Sequence, residues 1–458
     1  MSCVVVLALV AVGAIGVITR GDSRYPEQWD PRIQPLASFV ERARGLSFEH
    51  PVYVDFSERE DFVAKAGEGY EMSDEERKEV EQWTGQLRAF GLVRGEVDLF
   101  GSSKKLNTDG VAAYYSFDTK RITVNGTDLD ENTRVTVVHE LTHALQDQHF
   151  DLTKLQRDHE EDVEDTLTAM FEGDAVRIQS MYFASLSDAE QERAMTNMDS
   201  DIDEADLGDV PLVLSSLFGS PYTLGEPFVT LLAELKGDRG VNEAMLNPPA
   251  STEQLLDPFR YLHADMPETV SEPELQKGEE KFDSGVLGAM FWYLVFSQRV
   301  GPKDALAAAD GWGGDSYVAF ERDGKVCVRA ALRADTPADH SELIGALSSW
   351  ASAMPAGAVR FSTTEQIDVE SCDPGASASI PPPMNPDIDP LVVPATRAFV
   401  ALSLAADGAS EKEAQCASTQ IMKALSLEQI TAPNEQHAPQ IESIVRTARQ
   451  SCASVAGK

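Results

Sequence analysis

Two histidines placed four residues apart are the strongest candidates for chemistry in this chain. His139 and His143 stand in the segment His-Glu-Leu-Thr-His, inside a stretch whose apolar residues recur at helical spacing. Residues four apart share one face of a helix, so both imidazoles can bind one metal ion, and imidazole nitrogen suits Zn²⁺. Glu140 is turned by about 100° from His139, beside the ion rather than on it. That position suits a base that takes a proton from a metal-bound water, so the segment predicts metal-assisted hydrolysis.

A catalytic zinc site of this kind needs a third protein ligand and one open position for water. Glu172 is one candidate, since it lies far enough after His143 for a loop and a returning helix. His149 is the other, but Gln146, a good helix former, stands where HExxHxxGxxH proteins have the glycine that ends the helix. On a continuing helix His149 turns away from the metal. We therefore expect one Zn²⁺, held by His139, His143 and Glu172.

Longer segments resemble gluzincin-type zinc metallopeptidases, and in particular a group of poorly characterised bacterial metallopeptidases. The resemblance begins with HELTHALQDQHFDL and a following helix that contains EGDA. It continues with SPYTLGEPFV at 220–229, PPASTEQLLDP at 248–258 and GWGGDSYVAFE at 311–321. It covers about residues 35–375, and HExxH is its only highly specific part. Asp257 departs from the group, where histidine is expected.

The resemblance implies a zincin-like fold, a peptide or protein substrate, and a glutamate from the next helix as third zinc ligand. It also implies that a strand before the active-site helix pairs with the substrate backbone, here residues 111–117 or 121–125. A tyrosine or histidine is expected to donate a hydrogen bond to the oxyanion of the transition state. The candidates, of which the first is preferred, are Tyr222, Tyr261, His263 and Tyr182.

Two aspartates are candidates for orienting a ligand histidine through a hydrogen bond to its other ring nitrogen. Asp147 follows His143 by one helical turn, and Asp174 follows Glu172 by two residues. As single residues, aspartates more often lie solvated on a surface. Both interpretations of each aspartate remain open at the level of the sequence.

The elements around these residues indicate an α+β fold that is mostly helical. A β-hairpin at 111–117 and 121–125 precedes the active-site helix, which Asn132 or Thr133 can cap. A second helix follows at about 160–183, and the acidic residues 188–210 form either a mobile surface loop or a solvated helix. The patterns predict further helices at 225–237, 240–246 and 284–299.

The chain is long enough for several domains, since it has 458 residues. We expect a zincin-like metallopeptidase domain at 33–310 and a small α+β unit at 311–373. A Pro-rich linker at 374–394 then leads to a C-terminal helical module at 395–458. The role of that module does not follow from its sequence.

The first twenty residues contain an unbroken run of apolar and small residues at 4–19. We favour an N-terminal membrane anchor over a cleaved signal for residues 1–20, because no cleavage pattern precedes Arg20. Arg20 and Arg24 follow the run, and the positive-inside rule would then hold the body of the protein in the cytoplasm. The cysteines favour the opposite orientation.

Five cysteines are present, and Cys3 lies within the apolar run. The other four allow three disulfide connectivities, of which we expect pairing of neighbours, Cys327–Cys372 and Cys416–Cys452. Two disulfides indicate an oxidising compartment. With the bacterial resemblance, this predicts an extracytoplasmic body in the cell envelope, either membrane-anchored or secreted.

The charge of the chain excludes one class of partner. There are 76 acidic and 38 basic residues, for a formal net charge of -38. Nucleic-acid binding requires clustered Lys and Arg, so we expect no nucleic-acid partner, and membrane contact only through the N-terminal segment. The oligomeric state does not follow from the sequence.

Two rival functions stand beside a zinc peptidase. One is a zinc hydrolase on the same scaffold that acts on bonds other than peptide bonds. The other is a catalytically silent binding or envelope-scaffold protein with a structural or vestigial metal site. The metal content separates the scaffold from the enzymes, and a mixed peptide library separates the peptidase from other hydrolases.

Overall fold

The computed structural model describes residues 24–66, 72–108, 112–158, 161–205 and 207–453. The N-terminal segment expected to be an anchor or signal, residues 1–20, lies outside these ranges. Within them, the structure contains no helix of the length and apolar character that crossing a bilayer would need. Helices account for more than half of the chain and accompany two β-sheets, which confirms a mixed, mostly helical fold.

The elements that surround the expected metal ligands come first along the chain. In order they are α1 (Gln34–Arg44), β1 (Tyr53–Ser57), α2 (Arg59–Ala66), α3 (Asp74–Ala89), α4 (Leu99–Thr108), β2 (Ala113–Ser116), β3 (Arg121–Asn125), α5 (Glu131–Phe150), α6 (Leu152–Asp158), α7 (Glu161–Ser185), α8 (Asp188–Ala205) and α9 (Leu212–Leu246).

The second half of the chain forms the larger sheet and then a group of helices. The sheet and its flanking helices are α10 (Thr252–Leu256), α11 (Pro258–Leu262), β4 (Glu280–Gly285), α12 (Gly288–Ser297), α13 (Pro302–Ala309), β5 (Trp312–Arg322), β6 (Lys325–Ala334), α14 (Pro337–Ala353), β7 (Val359–Phe361) and β8 (Ile367–Cys372). The C-terminal helices are α15 (Val392–Ala406), α16 (Glu411–Ala424), α17 (Leu427–Thr431) and α18 (Ala438–Cys452).

The smaller sheet has three strands in the order β1-β3-β2. Strand β3 pairs in parallel with β1 and antiparallel with β2, which confirms the predicted hairpin within the described residues. Lys120 sits in the tight turn of this hairpin with a φ of 57°. Helix α5 packs against both strands of the hairpin. Strand β3 is therefore enclosed between two neighbours, whereas β2 lies at an edge.

Helix α5 begins one residue before the predicted cap. The Asp130 carboxylate accepts a hydrogen bond from the Thr133 backbone N–H at 2.8 Å, so Asp130 is the N-cap and the expectation of Asn132 or Thr133 is wrong. All three residue types can cap a helix, and the aspartate that stands first in the chain does so. The helix ends where Asp151 adopts a φ of 51°. The two histidines thus lie in the middle of an uninterrupted helix.

Helices α8 and α9 cover segments for which the sequence predicted a loop or a helix at 188–210 and two helices at 225–246. Residues 188–205 are helical, which is the second of the two alternatives for the acidic segment. Helix α9 starts at Leu212, earlier than expected, and contains Pro221 and Pro227. Gly237 interrupts it with a φ of 70° and a ψ of -179°, so the chain forms two helical stretches here, in agreement with the helices expected at 225–237 and 240–246.

The larger sheet has the strand order β4-β5-β6-β8-β7, with antiparallel pairing throughout. It begins at Glu280, so it includes residues that we assigned to the metallopeptidase domain, whose expected boundary was 311. The helix predicted from residue 284 starts at Gly288 instead, because residues 280–285 pair with β5. Asp315 holds that helix start by accepting a hydrogen bond from the Gly288 N–H at 3.1 Å.

Two disulfides are present, with the expected pairing. Cys327 and Cys372 lie opposite each other on the neighbouring strands β6 and β8. Cys416 and Cys452 join α16 to α18 in the C-terminal module. This module contacts the rest of the protein through α15, which packs on α9. Between β8 and α15 the chain forms no helix or strand, as expected of the linker, although α15 already starts at Val392.

Candidate metal centre

Three side-chain atoms from α5 and α7 meet at one point. The Nε2 atoms of His139 and His143 lie 3.1 Å and 3.2 Å from Oε2 of Glu172, and 3.1 Å from each other. Zn²⁺ in tetrahedral coordination, with bonds of about 2.0–2.1 Å, would place its ligand atoms about 3.3 Å apart. The triangle therefore has the dimensions of three ligands around one ion.

The other nitrogen of each imidazole faces a glutamine. His139 Nδ1 is 2.9 Å from Oε1 of Gln179, and His143 Nδ1 is 3.1 Å from Oε1 of Gln146. An amide oxygen only accepts hydrogen bonds, so each Nδ1 must carry the proton, and a neutral imidazole then has its lone pair at Nε2. When both imidazoles are neutral, two such lone pairs and the Glu172 carboxylate converge on one point. This arrangement is repulsive unless a cation lies among them, so the residues fit a metal ion.

All three side chains are buried, which strengthens their mutual electrostatics. Burial lowers the pKa of His143, but the Glu172 and Glu140 carboxylates outweigh it and raise that pKa to about 9. Burial likewise raises the pKa of Glu172, and the two histidines more than offset it, so the pKa lies below its usual range. The pocket thus stabilises positive charge between the imidazoles and a carboxylate that stays ionised.

Glu140 lies beside the three ligands without being one of them. The group of residues close enough to share an ion consists of His139, His143 and Glu172. Burial raises the pKa of Glu140, whereas the neighbouring histidines lower it. The backbone N–H of Tyr115 on β2 faces the carboxylate and lowers this pKa as well. Glu140 is therefore held between the ligands and the edge strand.

Among the four candidates for the oxyanion donor, Tyr222 is next to the ligands. Its ring stacks beside that of His139, with 6.2 Å between the centroids, and its hydroxyl faces the Glu172 carboxylate. Burial of the hydroxyl, together with the Glu172 and Glu140 carboxylates, raises the pKa of Tyr222 well above its usual value. The side chain is still 37% exposed, so part of the ring also faces solvent.

The remaining three candidates have partners elsewhere. The hydroxyl of Tyr261 donates to the backbone oxygen of Asn247, and His263 Nε2 lies 3.4 Å from Glu411. Tyr182 packs edge to face against an aromatic ring of α1. Tyr222 is therefore the candidate that the fold brings to the ligands.

Asp147 does not act on a ligand histidine as the sequence suggested. Its Oδ2 accepts hydrogen bonds from the Tyr115 hydroxyl at 2.8 Å and from Lys120 Nζ at 2.5 Å. Its Oδ1 accepts from the Leu152 backbone N–H at 3.2 Å. Asp147 points towards the hairpin because Tyr115 and Lys120 offer it donors on that side of α5. These contacts fasten the hairpin to α5.

Asp174 reaches a ligand histidine only through another residue. Its carboxylate is fully buried and forms ion pairs with Arg44 at 2.6 Å and Arg177 at 3.0 Å. It also accepts a hydrogen bond from the Gln146 side chain at 3.1 Å, and that side chain faces His143. The direct contact between Asp174 and a histidine is thus replaced by a glutamine bridge.

Two further residues from the sequence argument lie away from the ligands. Helix α5 continues through His149, whose Nε2 is 2.8 Å from the backbone oxygen of Ser47. The alternative ligand is therefore not part of the group. Asp257, which stands where the resemblance expects histidine, caps α11 by accepting a hydrogen bond from the Phe259 N–H at 3.1 Å.

The two glutamines that face the ligand histidines were missed by the sequence argument. A signal existed for both. Gln146 follows His143 by three residues on α5, and Gln179 follows Glu172 by two helical turns on α7, so each lies on the same helix face as a ligand. The expected partners of the ligand histidines were carboxylates, whereas both observed partners are amides.

A second group of acidic residues has the spacing of metal ligands, but the side chain of an arginine already lies between them. Glu253, Asp265 and Asp335 could share an ion by distance alone. Nη1 of Arg260 lies 3.1 Å, 2.7 Å and 2.9 Å from their carboxylates. The guanidinium therefore supplies the positive charge that a metal ion would bring.

Comparison with known proteins gives one match. Residues 275–378 match a family described as a domain of unknown function (DUF8575). This stretch contains the five strands of the larger sheet and lies outside the helices that carry the candidate metal ligands. No curated protein and no solved structure matches the chain.

Proposed function

We propose that this protein is a zinc-dependent peptidase of the gluzincin type. The observation that carries the proposal is the convergence of His139, His143 and Glu172 on one point, with Glu140 beside them. Two neutral imidazoles and one carboxylate form the ligand set of several catalytic zinc sites. When bound, zinc would supply a Lewis acid and a water whose pKa is lowered to about 7.

Glu140 has the surroundings of a general base. It accepts a proton from the attacking water and later returns it to the nitrogen of the leaving amine, as the peptide C–N bond breaks. Burial raises the pKa of its carboxyl, which brings it closer to the pH at which a base must also act as an acid. The Tyr115 N–H faces the carboxylate from the side of the hairpin.

Tyr222 is suited to donate a hydrogen bond to the developing oxyanion. Its raised pKa keeps the hydroxyl protonated at neutral pH, and a protonated hydroxyl is the form that donates. Tyr222 is 37% exposed, so a substrate can reach it from solvent. Removing one such donor typically lowers turnover by about 10²–10³-fold.

Strand β2 is suited to bind the substrate backbone. Of the two strands that the sequence offered, β3 already pairs on both sides, whereas β2 pairs with β3 alone among the described residues. An extended peptide can add to such an edge through backbone hydrogen bonds. The backbone of β2 also reaches Glu140 through Tyr115, so a peptide on this edge would lie next to the base.

Two disulfides fit a protein that works outside the cytoplasm. We therefore propose an extracytoplasmic site of action for the peptidase. Whether residues 1–20 anchor the protein or are removed as a signal can be tested by N-terminal sequencing and by membrane fractionation of the expressed chain. Removal would yield a soluble form with a new N-terminus.

The proposal is tested by the Glu140→Gln variant together with a mixed peptide library. The variant should bind one zinc ion per chain, as the wild type does, and should lose at least about 10³-fold in turnover because the base is absent. Glu192→Gln changes an exposed glutamate on α8 and is the control, with turnover unchanged. Full hydrolysis by Glu140→Gln would refute the mechanism.

The library also separates the rival functions. A zinc-loaded wild type that cleaves esters or other bonds but no peptide would be a different hydrolase. A wild type that binds zinc and cleaves neither would be a scaffold with a structural metal site. Either result would overturn the peptidase proposal while leaving the metal centre intact.

A further inference from the structure

The side chain of Gln146 is held at both ends of its amide. Its Nε2 donates to the backbone oxygen of Phe171 at 3.0 Å and to Oδ2 of Asp174 at 3.1 Å. Its Oε1 lies 3.1 Å from Nδ1 of His143. The side chain is completely buried, so water does not compete for these hydrogen bonds.

The two acceptors determine which way the amide points. Both Phe171 and Asp174 present oxygen, so the NH₂ end of the amide must face them and the carbonyl end must face His143. Turning the amide over would place its oxygen against a carboxylate and a carbonyl. We propose that Gln146 is a positioning residue that fixes the ring orientation and the Nδ1–H tautomer of His143, and so presents the Nε2 lone pair to the metal.

Asp174 is itself fixed by two arginines. Nε of Arg44 lies 2.6 Å from one carboxylate oxygen, and Nη2 of Arg177 lies 3.0 Å from the other. The side chains of Arg44 and Asp174 have no exposed surface. Separating the partners of a buried ion pair leaves each charge buried and unpaired, which strongly destabilises the fold. These groups therefore do not move independently.

The arginines tie this network to the surrounding helices. Nη2 of Arg44, at the end of α1, donates to Asn242 on α9 at 2.6 Å, and Arg177 lies 3.3 Å from Asp238 on the same helix. Four helices, α1, α5, α7 and α9, thus meet around Asp174. The orientation of one metal ligand is set through Gln146 by a buried network that never contacts the metal.

This inference rests on the proposed metal centre, and it adds a residue on which metal affinity depends. Replacing a group that orients a ligand histidine typically weakens metal binding by about 10–100-fold. Gln148 provides a matched comparison on the same helix. It also makes three hydrogen bonds, to Glu49 and His50, and none of them involves a ligand.

The experiment compares Gln146→Met with Gln148→Met in the full chain. Zinc affinity is measured by competition with a chromogenic chelator, and the Co²⁺-substituted proteins are compared by their visible absorption spectra. Gln146→Met should bind zinc about 10–100-fold more weakly and change the Co²⁺ spectrum, whereas Gln148→Met should do neither. Equal zinc affinity and equal spectra for the two variants would overturn the inference.

A measurement on the zinc-loaded wild type needs no substitution at position 146. With ¹⁵N-labelled histidine, His143 should show an Nδ1–H proton that exchanges slowly with solvent and lies close to the Gln146 side chain. A rapidly exchanging proton there would overturn the inference even if Gln146→Met fails to fold. Absence of zinc binding by the wild type would instead defeat the proposed function, so the two failures are distinguishable.

Discussion

Gly173 on α7 and Gly225 on α9 meet backbone to backbone. A Cβ atom added to Gly173 would lie 2.3 Å from the carbonyl of Gly225, and one added to Gly225 would lie 2.2 Å from the backbone oxygen of Ala169. No other residue type fits such a close crossing. Glu172 precedes Gly173 directly, and Tyr222 lies one helical turn before Gly225. This contact therefore sets the distance between a metal ligand and the expected oxyanion donor.

Gly225→Ala should force the two helices apart. We expect a loss of about 1–3 kcal/mol in the free energy of unfolding, as in other overpacked sites, together with weaker zinc binding. Gly219→Ala, on the same helix, is the control. Its Cβ would meet only a side-chain oxygen at 3.9 Å, so a gain of about 0.5–1 kcal/mol from helix propensity is expected. Urea unfolding measures the change in the free energy of unfolding for both variants. Equal changes in the two variants would contradict the close packing at Gly225.

Lys120→Met tests the role of Asp147 as a fastening of the hairpin. The Asp147 side chain is nearly inaccessible, and the substitution removes its charged partner, which should cost about 1.5–3 kcal/mol of stability. Zinc affinity should stay unchanged, because Asp147 bonds to the hairpin and not to a histidine. Lys154→Met, at an exposed site on α6, is the control for loss of a positive charge. Weakened zinc binding with unchanged stability would show that Asp147 orients a ligand after all.

The sequence was sufficient to predict the three residues that converge in the candidate metal centre, because their spacing is local. Four residues on one helix place His139 and His143 together, and a second helix with small neighbours identifies Glu172. The hairpin and both disulfide pairs were also predicted, since turn residues and neighbouring cysteines are local signals. These features depend on contacts between adjacent elements.

The partners of the two aspartates could not be predicted in the same way. Arg44 is 130 residues away from Asp174 in the chain, and no periodicity links the two. The predicted start of α12, at residue 284, was wrong for a similar reason. Residues 284 and 285 have a helical pattern, but their pairing with β5, which lies later in the chain, makes them part of a strand. Such contacts belong to the tertiary fold.

Acid should weaken the larger sheet through Glu370. Burial raises the pKa of this carboxyl, but Arg322, Arg329 and Arg360 outweigh it and lower the pKa to about 2, against 4.5 for an unperturbed glutamate. Its contribution to stability is present above pH 4.5 and is lost as the pH falls towards 2.

The wild type and the Glu370→Gln variant should therefore differ in free energy of unfolding at pH 6, and the difference should shrink by pH 3. Urea titrations at both values measure it. Glu365→Gln, at an exposed position before β8, is the control and should match the wild type at pH 6. A difference for Glu370→Gln that is constant with pH would contradict the ion-pair account.

The C-terminal module should depend on its disulfide. Cys416 and Cys452 are 36 residues apart in the chain, and closing a loop of this length is worth about 3–4 kcal/mol in the chain-entropy model. Replacing both cysteines by alanine should lower the thermal stability of this module and leave zinc binding intact, because α16 and α18 are distant in the chain from the ligands. Calorimetry and zinc titration measure the two effects. A stable module without the disulfide would contradict the prediction.

The central claim is that His139, His143 and Glu172 together hold one divalent metal ion. It is tested most directly by measuring the zinc content of the purified wild type and of the His139→Ala and Glu172→Ala variants, after dialysis against zinc and then against buffer. The account predicts one zinc ion per chain in the wild type and almost none in either variant. Wild-type protein without zinc, or variants that retain a full equivalent, would contradict it.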